Sequence, residues 1–109
     1  MATNSRFHVV VTDKGIAYHR TPENIEAVDW ADLRTVLIGT TDGGPYFPDV
    51  FWILIGDQGG CVIPQGIVGE EVLAERLLAL PGFDHSALIE AMSSTTNQRF
   101  LCWRTQHNK

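Results

Sequence analysis

Four histidines and two cysteines are the side chains of this 109-residue chain that could ligate a metal ion or supply an attacking sulfur. His8, His19, His85, His107, Cys61 and Cys102 form no Cys-x-x-Cys or His-x-x-x-His pair, and structural zinc sites, which need converging ligands, ordinarily show such pairs. No metal and no cofactor is expected. Nucleophilic catalysis would need Cys61, or a serine, beside a histidine that a third group orients. Cys61 opens an apolar run after Gly59-Gly60 and His8 flanks another, so a meeting of Cys61 with a histidine across a sheet is one arrangement open to the chain. The plainer expectation is an inert buried thiol, because free cysteine usually behaves as a small hydrophobe. Asp29 with Asp32, and Glu70 with Glu71, could be paired acids for hydrolysis, yet strand ends and first helical turns collect carboxylates for solubility and for the helix dipole. Gly56-Asp57-Gln58-Gly59-Gly60 links two strand-like runs and so lacks the helix N-terminus of a phosphate cradle. No residue is expected to be catalytic.

Two features remain that could recognise something. Between Thr21 and Glu75 stand ten acidic residues and one basic one, Arg34, whereas Asn97 to Lys109 holds Arg99, Arg104 and Lys109 with no acid. Segregated charge of this kind steers an oppositely charged partner, although a merely solvated face has the same composition. The second feature is the stretch Thr40 to Asp49, in which Tyr46 and Phe47 sit between Pro45 and Pro48. Aromatics on a stiffened loop make interface anchors at small entropic cost; the alternative is that they fold back and plug the end of the sheet. The candidate partner-binding residues are therefore Asp42, Tyr46, Phe47 and Asp49, with Trp30 and Asp32 nearby in the acidic region. The expected function is a non-enzymatic interaction module for a protein partner of basic character, of which an immunity-type inhibitor of a cationic toxin is the narrowest version. A homo-oligomer is a related expectation, since an unpaired or apolar strand can complete its burial in a symmetric pair. The alternative is a small-molecule or lipid-headgroup binder that uses the mouth of a curved sheet, with Trp30, Trp52 or Tyr46 as walls.

The elements that must position these residues follow from periodicity. Phe7 to Thr12 and Ile16 to His19 form a hairpin in which Gly15 is expected to supply a positive φ. Glu26 to Trp30 alternates as a half-exposed strand, and a short bend at 30–33 leads into a strand over Thr35 to Thr40. Val50 to Ile55 shows no alternation, the pattern of a central strand covered on both faces; it turns back at 56–60 into Cys61 to Ile63, ended by Pro64. From Gly69 the period becomes helical, with Val72, Leu73, Leu77 and Leu80 on one side up to Pro81-Gly82. Asp84 caps a second helix with Leu88, Ile89 and Met92 as its apolar stripe, and Phe100 to Trp103 reads as a last strand, apolar on both faces. The expected fold is a single α+β domain over 1–109, with 1–5 and 105–109 as flexible ends. It is built on a curved, mainly antiparallel sheet or partial barrel of about six to seven strands.

The strand order, and the stretch Val28-Asp29-Trp30-Ala31-Asp32-Leu33-Arg34-Thr35-Val36, resemble the pleckstrin-homology-like superfold over roughly residues 7 to 80. The segments Phe51-Trp52, Leu80-Pro81-Gly82-Phe83-Asp84 and Phe100-Leu101-Cys102-Trp103 look like a family of small uncharacterised bacterial proteins, which implies no activity. A second helix and a terminal strand depart from the pleckstrin-homology pattern. So does the first hairpin, which has only Lys14 and Arg20 where phosphoinositide-binding members carry a basic cluster, so lipid binding is not carried over. A net charge of -5 argues against general affinity for nucleic acid or anionic lipid. The longest apolar run, Val50 to Ile55, is far short of a membrane span. With no export signal at the N-terminus and only two cysteines, a cytoplasmic location with reduced thiols is expected.

Overall fold

A computed structural model describes residues 8–21, 23–41, 50–94 and 97–105. The chain runs through β1 (His8–Val11), β2 (Gly15–Thr21), β3 (Asn24–Asp29), β4 (Leu33–Thr40), β5 (Val50–Gly56), β6 (Gly60–Pro64), α1 (Glu70–Leu78), α2 (His85–Ser93) and β7 (Gln98–Arg104). The domain is α+β, but its strands make two antiparallel sheets and not one curved sheet: β1-β2-β3, and β6-β5-β4-β7. No closed barrel forms among them. The division falls at the β3–β4 corner, where the Asp32 N–H donates to the Asp29 carbonyl at 2.9 Å and the Leu33 N–H to that of Trp30 at 3.3 Å. That tight turn redirects the chain out of the first sheet.

Each sheet gives one face to a common core. From the first come Val9, Ile16, Tyr18 and Val28; from the second come Val36, Ile38, Trp52, Leu54, Cys61, Ile63 and Cys102. Leu73 and Leu77 of α1, Phe83, and Ala87 and Ala91 of α2 close the remaining sides. Trp52 lies 1% exposed, and its indole N–H donates to Glu70 Oε2 at 2.7 Å. A buried donor of this kind needs its acceptor, and Glu70 serves while also placing an acid in the first turn of α1.

Several local expectations are corrected. Gly15 has no positive φ; it is small because a Cβ there would meet the Val28 carbonyl oxygen at 2.5 Å across the β2–β3 pair. The turn itself is held by Thr12 Oγ1, which accepts from the N–H groups of Lys14 and Gly15. The positive φ that matters is at Gly69 (φ 90), the N-cap of α1, where any Cβ would collide with the Val9 carbonyl oxygen. That close approach accompanies a Val9 N–H to Val68 carbonyl bond of 2.9 Å, joining α1 to the edge of the first sheet.

On α1, Val72 faces outward at 49% exposure, and the helix ends at Leu78, before Pro81. On α2 the core-facing residues are Ala87 and Ala91, while Ile89 and Met92 stand out at 66% and 51%. Asp84 Oδ1 accepting from the Ala87 N–H at 3.0 Å sets the phase of that helix, and the two alanines let its backbone come close to the sheet.

Replacing Glu70 with Ala orphans the Trp52 N–H, and the expected loss is about 1–3 kcal/mol in urea unfolding, read with Trp fluorescence. Glu70→Gln, which keeps an acceptor oxygen, is expected to lose less than half as much. Equal losses for the two variants would show that charge, not hydrogen bonding, holds the contact.

Candidate functional site

The second sheet has an outer face that neither helix covers. Residues directly opposite one another in an antiparallel pair share a face, so the pairings Val62↔Ile53, Ile53↔Leu37 and Leu37↔Leu101 draw one apolar row across all four strands. Val62 is 50% and Leu101 43% exposed, with Ile53 and Leu37 half-buried between them. The row on one side holds Pro64, Phe51, Gly39 and Arg99, and the row on the other holds Gly60, Ile55, Thr35 and Arg104. Val50 to Ile55 is therefore apolar on both sides for a different reason from the one its sequence suggests. Trp52 and Leu54 face the core, whereas Phe51, Ile53 and Ile55 face outward. The apolar final strand behaves the same way, with Cys102 buried and Leu101 open.

At the Thr40 end of β4 this face deepens into a trough of about 580 Å³ bordered by Phe51, Ile53, Val62, Thr41, Asn97 and Arg99. Gly39 makes the depression: in its row the missing side chain leaves a gap between Phe51 and Arg99. The chain leaves the second sheet after Thr40, with Thr41 on the rim, and re-enters it at Val50.

Of the residues singled out from the sequence, Asp42, Tyr46, Phe47 and Asp49 lie outside the described residues. Trp30 and Asp32 are together at the β3–β4 corner, which is the Leu33 end of β4 and so the far end of that strand from the trough. Trp30 is engaged there, its Nε1–H donating to the Thr12 carbonyl at 2.8 Å and its ring lying under the Arg76 guanidinium at 4.9 Å. Asp32 is half-buried, and its carbonyl accepts from the Asp57 N–H at 3.1 Å. The acidic stretch is also partly spent within the molecule: Glu26 pairs with Arg20, Asp57 takes both a 3.1 Å and a 2.6 Å bond from Arg34, and Glu70 holds Trp52.

No family model, curated protein or solved structure matches this chain. Among the described residues no three His, Cys, Asp or Glu side chains converge on a point that could hold a metal ion, and no helix is long and apolar enough to cross a membrane. His8 and His19 stack across β1 and β2, ring centroids 4.4 Å apart. Cys61 and Cys102 are buried free thiols on the inner face. Desolvation, reinforced by the Glu26 charge, pushes the Cys61 thiol up to about 12, and desolvation with Asp84 nearby pushes that of Cys102 up to about 11. Neither supplies a thiolate near neutral pH.

Both thiols are expected to resist a disulfide reagent at pH 8 in the native protein and to react at once in urea. Because their folded values lie above the ordinary thiol value of 9.0, the fold favours the protonated form. That contribution is complete below pH 9 and is lost as pH climbs towards 11 and 12. A Cys61→Ala/Cys102→Ala variant should accordingly show a shallower fall in urea midpoint between pH 8 and 10.5 than the parent. At Gly39, a Cβ would meet only Ile53 Cδ1, at 3.0 Å, the end of a side chain with room to turn on the open face. Gly39→Ala is therefore expected to raise stability by about 0.5–1 kcal/mol while making the trough shallower; a drop in melting temperature would contradict this account of the position.

Proposed function

We propose that the chain is a non-enzymatic interaction module whose partner, another protein, docks on the outer face of the second sheet. The observation that carries this reading is the four-strand apolar row Val62–Ile53–Leu37–Leu101, exposed at both ends and half-buried between them. Continuous exposed apolar surface on a small domain marks an interaction site more often than isolated exposed residues do. The burial of both thiols, with their raised pKa values, argues against thiol-based catalysis at Cys61. The 40–49 segment is part of the proposal because Thr40 and Val50, at its two ends, belong to the sheet that carries the face. The acidic surface stays in the proposal as a second contact, with Trp30 and Asp32 at the opposite end of β4 from the trough. A narrower role as an inhibitor of a cationic protein rests on the net charge of -5 alone. We also propose a pleckstrin-homology-like relationship, supported by two antiparallel sheets of which six strands precede α1 in the chain, while β7 follows both helices.

A second reading has its own support. A trough of about 580 Å³ falls within the ordinary volume range of small-molecule sites, and its apolar part, Phe51, Ile53 and Val62, beside Arg99 and the polar Thr41 and Asn97, suits an apolar carboxylate.

A photoreactive amino acid placed at position 62 or 101 in the living source cell is expected to yield a covalent adduct with another polypeptide, and one placed at the exposed Ile25 of the first sheet is not. Adducts from position 25 as abundant as those from 62 and 101, or none from the latter, would remove the docking reading. In that case thermal stabilisation by apolar carboxylates, lost in Gly39→Leu, would favour the small-molecule one.

A further inference from the structure

We propose that the partner places an acidic amphipathic α-helix on this face, its apolar side against Val62, Ile53, Leu37 and Leu101 and its carboxylates against Arg99 and Arg104. The inference rests on the docking reading above and names the chemistry of its occupant.

Charge decides the chemistry. Arg20, Arg34 and Arg76 each face a carboxylate, whereas Arg99 and Arg104 have no ion-pair partner among the described residues. Both arginines are exposed on β7, opposite Gly39 and Thr35, and so flank the apolar row on the outer face. None of the three rows of this face contains an acid, in a chain whose net charge is -5. A face that is locally cationic on an anionic protein is complementary to carboxylates set beside apolar anchors.

The same charges argue against a second copy. Two outer faces packed together would bring four guanidinium groups and no carboxylate into one interface, which the net repulsion between identical anionic chains would further oppose.

Layering decides the helix. An apolar sheet face needs a covering layer, and α1 and α2 turn their buried residues, Leu73, Leu77, Ala87 and Ala91, to the common core. Addition of a strand at the sheet edge is hindered on both sides. The Cys102 carbonyl on β7 already accepts the Asp84 N–H at 2.7 Å, and β6 ends in Pro64 beside β3. The four residue steps from Thr35 to Gly39 on β4 separate the two arginines by about 13 Å along the strand, roughly two turns of a helix lying along β4 and β5.

The test uses the whole protein and two synthetic helical peptides of about 18 residues with identical leucine stripes, one flanked by Glu and the other by Lys, read by fluorescence anisotropy. The Glu peptide is expected to bind saturably, on the order of tenfold more tightly than the Lys peptide. Arg99→Ser/Arg104→Ser should weaken it roughly three- to tenfold, Val62→Asp should abolish binding, and Lys14→Ser on the first sheet should change nothing. Circular dichroism and melting temperature verify that each variant is folded. Equal binding of the two peptides, no binding of the Glu peptide, or an unaffected arginine double variant overturns the proposal. If adducts still form at positions 62 and 101 in any of those cases, the helix proposal falls and the docking reading stands; if they do not, both fall. Dimers in sedimentation that Val62→Asp dissolves would make the second copy the occupant and likewise overturn it.

Discussion

The hydrogen bond from the Trp52 indole to Glu70 is the contact on which the rest of the structure turns. Trp52 sits in β5, an interior strand of the second sheet, and its ring fills the centre of the core. A ring that deep must still satisfy its one donor. Glu70 does so from the first residue of α1, and this pins the start of that helix over the sheet. Helix α1 then has a single place to begin, at Gly69, whose left-handed backbone brings it against the Val9 carbonyl of the first sheet. One side-chain bond thereby locks both sheets and a helix around the same apolar interior.

How far this could be foreseen differs by element. The seven strands and two helices follow from periodicity, with ends displaced by a few residues, and Asp84 caps its helix as its position suggests. The partition into two sheets is not visible in the pattern, because it depends on a four-residue turn whose hydrogen bonds are backbone to backbone and use no diagnostic side chain. Gly15 shows the same limit: a glycine required by a facing carbonyl looks, in one dimension, like a glycine required by a turn. The open apolar face was hidden for a related reason. An unbroken apolar strand reads as buried on both faces whether or not the chain itself covers the second one, so the outward placement of Phe51, Ile53 and Ile55 is legible only when the placement of the helices is known.

The two helices have taken the same side. In an α+β domain the usual economy is to shelter whichever sheet face is most apolar, but here small alanines of α2 and the leucines of α1 are spent between the sheets. What is left outside is apolar at its middle and cationic along β7, while among the described residues no carboxylate stands in its three rows and several are held in internal pairs. Size, charge and fold class alone would direct attention to the acidic surface. The distribution of unpaired charge directs it to the opposite sign and another face.

The position of β7 has a consequence for how the chain reaches its native state. Strand β4 is flanked by β5, a close sequence neighbour, and by β7, whose residue Gln98 meets Thr40 across 58 residues of chain. Until β7 arrives, one edge of β4 offers its row of unpaired N–H and C=O groups to any strand nearby. Both helices intervene in sequence, and the Asp84–Cys102 and Trp103–Pro81 bonds that seat their connector exist only after β7 is in place. Docking of the last strand is thus a non-local, entropically costly closure on which the second sheet and the attachment of α2 both wait. During synthesis, the interval before residues 98–104 emerge is when the growing chain is most open to intermolecular pairing.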